Sequence, residues 1–124
     1  MNKRQVGAAY EEIASEYLKD RDYTILERNY RTPFGEIDIL AKKDGVLVFC
    51  EVKYRSSQTC GSPFEAVDLR KQKKISRAAL HYYAGNGFTE GTPCRFDVIA
   101  VYGDGVVEHL ENAFEFAGGN RFTF

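Results

Sequence analysis

Residues 35–53, GEIDILAKKDGVLVFCEVK, decide the fold of this chain. They contain two apolar runs separated by Asp44-Gly45, a pair that is typical of a two-residue type I′ hairpin turn, in which both positions need a positive φ. With this pair as the turn, Lys43 faces Val46, and every further cross-strand pair follows from that register. The stretch therefore predicts a central antiparallel hairpin.

This register gathers four charged residues on one face of the hairpin. Side chains alternate along a strand, so Glu36 and Asp38 point to the same side as Glu51 and Lys53. Asp38 falls opposite Glu51, and Glu36 falls opposite Lys53. The other face is apolar, and we expect it to be core: Ile37, Ile39, Ala41, Val46, Val48, Cys50 and Val52.

Two explanations account for the charged face. Directly opposed residues have Cβ atoms about 4.5–5.5 Å apart, so the carboxylates of Asp38 and Glu51 would repel each other unless something positive neutralised them. Carboxylate oxygens are ligands that Mg²⁺ and Mn²⁺ prefer, and Lys53 would then lie where it could stabilise a phosphate. The alternative is an exposed, salt-bridged sheet face. The combination of two opposed acids with a lysine favours the metal site.

The remaining elements alternate between helix and strand. An apolar period of 3.6 residues predicts the first helix, and a capping box at Ser62-Pro63-Phe64-Glu65 begins the second, with a break near Asp68. The order α-β-β-β-α-β-β predicts an α/β fold around a mixed sheet. Helices are predicted over residues 6–20 and from Ser62 to about Tyr83, and strands over 23–31, on both sides of Asp44-Gly45, over 94–103 and over 106–110.

The length and the amino-acid composition of the chain fit one globular domain, residues 1–124. No apolar run approaches the roughly 20 residues of a membrane span, and the N-terminus lacks the apolar region of a secretory signal. The odd number of cysteines, without C-x-x-C spacing, argues against a disulfide framework and a zinc site. We expect a cytoplasmic protein with no membrane partner, in which Cys50 is a buried, reduced thiol.

An aromatic tail, residues 112–124, follows the last predicted strand. We expect it to cap the core, and contact with a second subunit is the alternative. Its phenylalanines are Phe114, Phe116, Phe122 and Phe124.

The charge balance is nearly neutral, with a formal net charge of -1 and a pI near 6.1. Catalytic acids lower the net charge, while a local basic patch can still bind phosphates. Residues 70–77, RKQKKISR, form such a patch, although a solvated helix face is the alternative. Candidates for phosphate contacts, which position a nucleic acid without reading its sequence, are Lys71, Gln72, Lys74 and Arg77, together with Arg31 and Arg55.

The order Asp38…Glu51-Val52-Lys53 resembles the core of the PD-(D/E)XK nucleases, which include restriction enzymes, archaeal Holliday-junction resolvases and RecB-type nucleases. Residues 7 to about 114 are similar to the YraN family of bacterial endonuclease-like proteins, itself distantly similar to the archaeal resolvases. Ile37 stands where the motif name has proline, as is usual in that family. The resemblance rests on Gly7…Glu11…Ala14…Tyr17-Leu18, Arg28-Asn29-Tyr30-Arg31, Gly35-Glu36-Ile37-Asp38, Val48-Phe49…Glu51-Val52-Lys53…Arg55, Arg95-Phe96-Asp97-Val98 and His109…Asn112-Ala113-Phe114.

The resemblance implies a restriction-endonuclease-like α-β-β-β-α-β core, a mixed sheet flanked by helices. It implies an endonuclease that uses one or two Mg²⁺ or Mn²⁺ ions to hydrolyse phosphodiester bonds of DNA, on branched or damaged structures, with RNA left open. Asp38, Glu51 and the Val52 carbonyl would be metal ligands, and Lys53 would position or activate the attacking water.

The same resemblance implies two further roles. Glu11 would be an additional acid from the first helix, in the pattern G-x-x-x-E-x-x-A, although the helical period alone treats Glu11 and Glu16 equally. Gln72 loosely occupies the place of a glutamine that RecB-type nucleases carry on the helix after this strand. A surface acid remains the alternative for Glu11.

Other polar residues favour structural roles. Glu36, opposite Lys53, is expected to be the partner of that lysine rather than a metal ligand. Asp97 in an apolar strand is expected to be a satisfied structural acid, and neither His81 nor His109 has a ligand companion at helical spacing.

Two other functions stay open at the level of sequence. A nucleic-acid-binding module with this fold but without turnover would show salt-sensitive binding and no metal-dependent products. An interaction protein would use the acidic face to hold a basic partner. A homodimer is also possible, since a one-site nuclease that cuts both strands needs two copies.

Overall fold

Five strands form one mixed sheet with a helix on each face in the computed structural model, which describes residues 3–56, 67–86 and 91–117. The predicted α/β class and element order are confirmed, and they match the restriction-endonuclease-like core that the resemblance implies. The elements are α1 (Lys3–Asp20), β1 (Thr24–Arg31), β2 (Glu36–Lys43), β3 (Val46–Arg55), α2 (Leu69–Gly85), β4 (Cys94–Tyr102) and β5 (Val107–Phe114).

The strands lie in the order β1-β2-β3-β4-β5, and the β3–β4 pair is parallel while the other pairs are antiparallel. Parallel neighbours need a long crossover connection, and the segment containing α2 provides it. This crossover brings the start of α2 over β2 and β3, where the charged residues of the hairpin lie.

The turn at Asp44-Gly45 is confirmed, with φ of 52° at Asp44 and 80° at Gly45. The predicted register is also confirmed from Lys43–Val46 to Ile39–Cys50. The pairing of β2 with β3 ends there, so it does not reach Asp38 and Glu51. The strands therefore follow the predicted ladder up to the charged end and depart from it at that point.

The helices bury both faces of the hairpin. Ile39, Val48 and Cys50 pack in the cluster that contains α1 residues, as predicted for the apolar face. Leu40 and Phe49, on the opposite face, are fully buried in the cluster that contains α2 residues. Ile37 is buried in the core, as predicted, but the predicted face is wrong. It belongs to the α2 cluster, because the regular pairing of β2 is interrupted at the next residue, Asp38.

Helix α2 begins where the sequence suggested a break. Asp68 is the N-cap, and its side chain accepts a hydrogen bond from the Lys71 N–H at 2.9 Å, which satisfies one of the free donors of the first turn. The capping box at 62–65 and Gly87 lie outside the described residues. Neither α1 nor α2 is long and apolar enough to cross a membrane.

The aromatic tail begins within a strand rather than after one. Strand β5 continues to Phe114, which pairs with Phe96 and stacks on its ring at a centroid distance of 5.0 Å. Phe116 packs against the α2 cluster. The capping role is confirmed for these two residues, while Phe122 and Phe124 lie outside the described part of the chain.

The cysteines that the structure describes are free thiols. Cys50 is buried, as predicted, and burial raises the pKa of its thiol well above the ordinary value. Burial also raises the pKa of Cys94, to about 11. Cys60 lies in the segment that is not described.

Candidate active site

An open cavity of about 540 Å³ lies between the charged ends of β2 and β3 and the first turns of α2. The segment before β2 and the start of α2 supply its other walls. It is lined by Gly35, Glu36, Asp38, Glu51, Asp68, Arg70, Lys71, Lys74 and Ile75. The fold thus brings Asp38 and Glu51, the two acids singled out by the sequence, into one cavity with lysines from α2.

Asp38 lies at an interruption of the sheet on both of its sides. Between β1 and β2, Arg28 pairs with Ile39 and Tyr30 pairs with Ile37, while Asn29 and Asp38 are skipped. Asn29 has a φ of 54°, in the left-handed region that asparagine tolerates better than most residues. On the β3 side the pairing ends one residue before Asp38. The Asp38 carboxylate accepts the Val52 N–H instead, at 2.8 Å.

This environment disfavours the charged form of Asp38. Burial raises the pKa of its carboxyl most, the Glu51 carboxylate raises it further, and the Val52 hydrogen bond acts in the opposite direction; the result is a pKa of about 7. Among the described residues the Val52 N–H is its single hydrogen-bond donor. Asp38 is therefore a half-buried acid that, among the described residues, lacks the partners a structural acid usually has.

Asp97 shows what such partners look like in the same protein. It is fully buried and accepts hydrogen bonds from Arg95 at 2.9 and 3.0 Å, from His109 at 2.7 Å and from the Asn112 N–H at 2.9 Å. Burial would raise the pKa of Asp97, but these bonds outweigh it and lower the pKa. The predicted structural role of Asp97 is confirmed, and His109 is its partner.

Glu51 is 6% exposed and is held by two ammonium groups. Lys71 Nζ lies 2.9 Å from Glu51 Oε1, and Lys53 Nζ lies 3.4 Å from the same oxygen. Burial lowers the pKa of Lys53, and the neighbouring Lys71 lowers it further. Burial also acts to lower the pKa of Lys71, but its bonds to Lys53 and Glu51 outweigh this and raise it. The two lysines thus share the charge of one carboxylate.

Glu36 does not pair with Lys53, so that prediction is wrong. Its carboxylate lies 3.7 Å from Arg31 Nε, because β2 pairs with β1 at this point and places Arg31 opposite Glu36. Lys53 pairs with Glu51 on its own strand instead. The cause is the early end of the β2–β3 ladder, which leaves Glu36 without a cross-strand neighbour on β3.

Glu11 lies in the field of the cavity acids. Burial raises the pKa of its carboxyl, a hydrogen bond from Asn29 lowers it, and the Glu36 and Glu51 carboxylates raise it. Glu11 in turn raises the pKa of Asp38. No group of three His, Cys, Asp or Glu residues in the described ranges is close enough to hold a metal ion together. The ligand roles of Glu11 and of the Val52 carbonyl therefore stay predictions.

The basic candidates are distributed unevenly. Lys71 and Lys74 line the cavity, while the Gln72 amide donates to the Val67 carbonyl at 3.0 Å. Arg31 is exposed beside the cavity residue Glu36. Arg55 donates to the Tyr54 carbonyl at 3.0 Å, and Arg77 is exposed on α2. Their contacts with phosphate stay predictions.

Sequence reasoning did not assign Arg70 and Gly35 to the site, although both line the cavity. The signal for Arg70 was its helical spacing: positions 70, 71 and 74 share one side of a helix that begins at residue 69. The predicted helix start at Ser62, with a break near Asp68, did not show which side of the helix would face the cavity. Gly35 gave no chemical signal, since its contribution is the absence of a side chain.

The donor set of the cavity fits a hard divalent cation. Two carboxylates, of Asp38 and Glu51, face an open cavity, and Mg²⁺ commonly takes one or two carboxylates with waters as the remaining ligands. Asp38 has spare acceptor capacity and an unfavourable negative neighbour, both of which a cation would correct. The described residues of the lining include no cysteine, methionine or histidine, so they suit a softer transition metal less well.

Comparison with known proteins places this chain among bacterial relatives that match nearly their whole length. The family model described as "Uncharacterised protein family UPF0102" matches residues 10–101. A UPF0102 protein of Lachnoclostridium phytofermentans is 44% identical over 118 residues, covering 95% of this chain and 99% of the relative. A UPF0102 protein of Moorella thermoacetica is 49% identical over 104 residues, covering 84% and 86%. The matched range contains the hairpin, the start of α2 and every residue that lines the cavity, and the chain belongs to the UPF0102 family, which is the YraN family.

Proposed function

We propose that this protein is a divalent-metal-dependent endonuclease that binds nucleic acid, DNA in the first place, and hydrolyses its phosphodiester bonds. The observation that carries the proposal is the state of Asp38: a half-buried acid with one hydrogen-bond donor among the described residues, in an open cavity that also holds Glu51. A structural acid in the same fold, Asp97, is fully satisfied. Buried, poorly paired acids in clefts are typical of functional sites.

Asp38 and Glu51 would hold the metal, with Glu11 as a further acid, since after Glu51 its carboxylate raises the pKa of Asp38 most. A bound Mg²⁺ or Mn²⁺ would supply positive charge at the phosphate and acidify a water molecule. Lys53 would hold the attacking water and stabilise the charge that develops on the phosphate, with no covalent intermediate. Arg70 and Lys74 would position the nucleic-acid backbone at the mouth of the cavity.

A second candidate function is a nucleic-acid-binding module without turnover. One observation favours it: Glu51 is already paired with Lys71 at 2.9 Å and with Lys53 at 3.4 Å, so its charge is balanced without a metal. In such a module Lys71 would remain bound to Glu51, and the basic residues would act only on phosphates.

Titration of Mn²⁺ by calorimetry, followed by cleavage assays on single-stranded, duplex and branched DNA, separates the two functions. For the endonuclease we expect Asp38→Asn to abolish Mn²⁺ binding and Glu51→Gln to abolish cleavage while DNA binding is retained. If Glu11 is a further ligand, Glu11→Gln should weaken Mn²⁺ binding. Glu16→Gln is its matched control and should not, since Glu16 also lies on α1 but is exposed and pairs with Lys19. Salt-sensitive DNA binding with no Mn²⁺ uptake and no products would establish the binding module instead.

A further inference from the structure

The turn that leads into β2 holds an exposed aromatic side chain in a fixed place. Thr32 Oγ1 accepts the Phe34 and Gly35 N–H groups at 3.0 and 3.1 Å and donates to the Gly35 carbonyl at 2.9 Å. The Thr32 N–H donates to the same carbonyl at 2.9 Å. Pro33 restricts the backbone further. These bonds close the turn upon itself, so Phe34 is presented by a rigid support.

This turn is also seated firmly on α2. A Cβ added to Gly35 would lie 3.0 Å from the Lys74 carbonyl oxygen, closer than real Cβ atoms come without a shift of the neighbour. The Gly35 backbone therefore lies directly against the helix that carries the cavity lysines. Gly35 itself lines the cavity, so Phe34 directly precedes a cavity residue in the chain.

The Phe34 ring is largely uncovered. It is 51% exposed, and among the described residues its ring contact is with His81, at a centroid distance of 6.2 Å and an angle of 59°. His81 is bonded in turn to Tyr30, with 2.8 Å between the Tyr30 hydroxyl and His81 Nδ1. About half of the Phe34 side chain therefore stays exposed, in a turn whose next residue, Gly35, lines the cavity together with Lys71 and Lys74.

We infer that Phe34 stacks on an unpaired base of the nucleic acid whose backbone enters the cavity. The inference rests on the proposed function and narrows its substrate class to strands with an accessible base face, such as single strands, flaps and branches. In a continuous duplex both faces of each base are covered by neighbouring base pairs, so the ring has no surface to stack on. A basic groove with an interposed aromatic ring is the common arrangement for single strands.

The test measures binding of a fluorescently labelled single strand and of a blunt duplex of the same sequence, in EDTA so that nothing is cleaved. The variants are Phe34→Ala, Phe34→Leu and Phe34→Trp, with Lys74→Gln as the electrostatic comparison. Leu110→Ala controls for the loss of an exposed apolar side chain elsewhere, because Leu110 is 37% exposed on β5. Melting temperatures confirm that each variant is folded.

We expect Phe34→Ala to weaken single-strand binding at least about fivefold, the lower end of what base–aromatic stacking contributes. Phe34→Trp should keep the single-strand affinity of the wild-type protein. Phe34→Leu should lose it as Phe34→Ala does, because leucine lacks a π face. A plot of the logarithm of the binding constant against the logarithm of the salt concentration should have the same slope for Phe34→Ala as for the wild-type protein. Lys74→Gln should reduce the magnitude of that slope by about one. Duplex binding should be the same for the wild-type protein and Phe34→Ala.

Several results would overturn the inference. Unchanged single-strand affinity in Phe34→Ala, full rescue by leucine, or an equal loss of affinity for the duplex would each exclude base stacking. These outcomes leave the metal-dependent cleavage of the proposed function untouched. If the wild-type protein binds neither form of DNA, the proposed function fails, and this inference fails with it.

Discussion

Replacement of Asp38 by asparagine should stabilise this protein at neutral and alkaline pH. Asparagine keeps an oxygen that can accept the Val52 N–H, now 2.8 Å from the Asp38 carboxylate, and it removes the half-buried charge beside Glu51. Most substitutions of buried residues destabilise a protein, so a gain in stability would be a sign of a residue kept for function.

The magnitude follows from the pKa of Asp38, which rises from 3.8 to about 7 on folding. Between these values the folded state binds more protons than the unfolded state, so the free energy of unfolding falls as the pH rises. The slope is about 1.4 kcal/mol per pH unit, which gives a penalty of at most about 4 kcal/mol above pH 7. Water and salt in the open cavity screen the repulsion, so a gain of about 1–4 kcal/mol is expected for the asparagine variant.

Urea unfolding, followed by circular dichroism in EDTA at several pH values, measures this difference. The variant should be more stable than the wild-type protein at pH 8. The difference should shrink as the pH falls towards 4 and vanish below the unfolded pKa of 3.8, where Asp38 is protonated in both the folded and the unfolded state. Asp97→Asn is the comparison, since Asp97 is an aspartate of the same sheet that is fully buried and bonded to Arg95 and His109. It should lose about 3–5 kcal/mol, the usual cost of removing one member of a buried ion pair.

The reasoning about Asp38 is refuted if Asp38→Asn is no more stable than the wild-type protein at pH 8. It is also refuted if the difference between them does not shrink towards pH 4. A loss as large as that of Asp97→Asn would mean that both aspartates hold the fold together.

Three further predictions concern the surroundings of the cavity. Lys71→Met should bind Mn²⁺ about fivefold more tightly, because the Lys71–Glu51 ion pair, at 2.9 Å and partly exposed, contributes about 1 kcal/mol and must be broken when Glu51 binds a metal. Weaker Mn²⁺ binding of this variant in calorimetry would contradict this. Gly35→Ala should lower the free energy of unfolding by about 1–3 kcal/mol, because the added Cβ would crowd the backbone of α2. Gly7→Ala is the control and should not, since nothing lies within 4 Å of its added Cβ. Equal melting temperatures for Gly35→Ala and the wild-type protein would show that the turn can shift. The stability that Asp97 contributes should be complete above its unfolded pKa, about pH 4, and should be lost as the pH falls through its lower folded pKa, so Asp97→Asn should flatten the acid limb of the urea midpoints.

Local chemistry was sufficient to predict the hairpin. Asp44-Gly45 is a turn sequence with one favoured geometry, and the two-residue period of a strand then places Glu51 and Lys53 on one face. Both features depend on residues that are neighbours in the chain or across a tight turn. The ladder was confirmed from Lys43 to Ile39 for this reason.

The contacts of the site depend on longer range and were less predictable. Lys71 reaches Glu51 only because α2 begins at Leu69, and the sequence offered an earlier start with a different helical phase. The isolation of Asp38 depends on the left-handed conformation of Asn29 on the neighbouring strand. Asparagine adopts that conformation more readily than other residues, but only its tertiary surroundings decide where it does so.

The left-handed asparagines have a consequence for how copies of this protein meet. In the described sheet β1 and β5 are the edges, and an open edge can recruit a strand from another molecule. Asn29 kinks the first edge, and Asn112, with a φ of 52°, kinks the other. Each edge strand is continuous but irregular, and each also has one register shift against its neighbour. Such irregularities disfavour a long, regular intermolecular ladder, and with it aggregation by edge-to-edge β-addition.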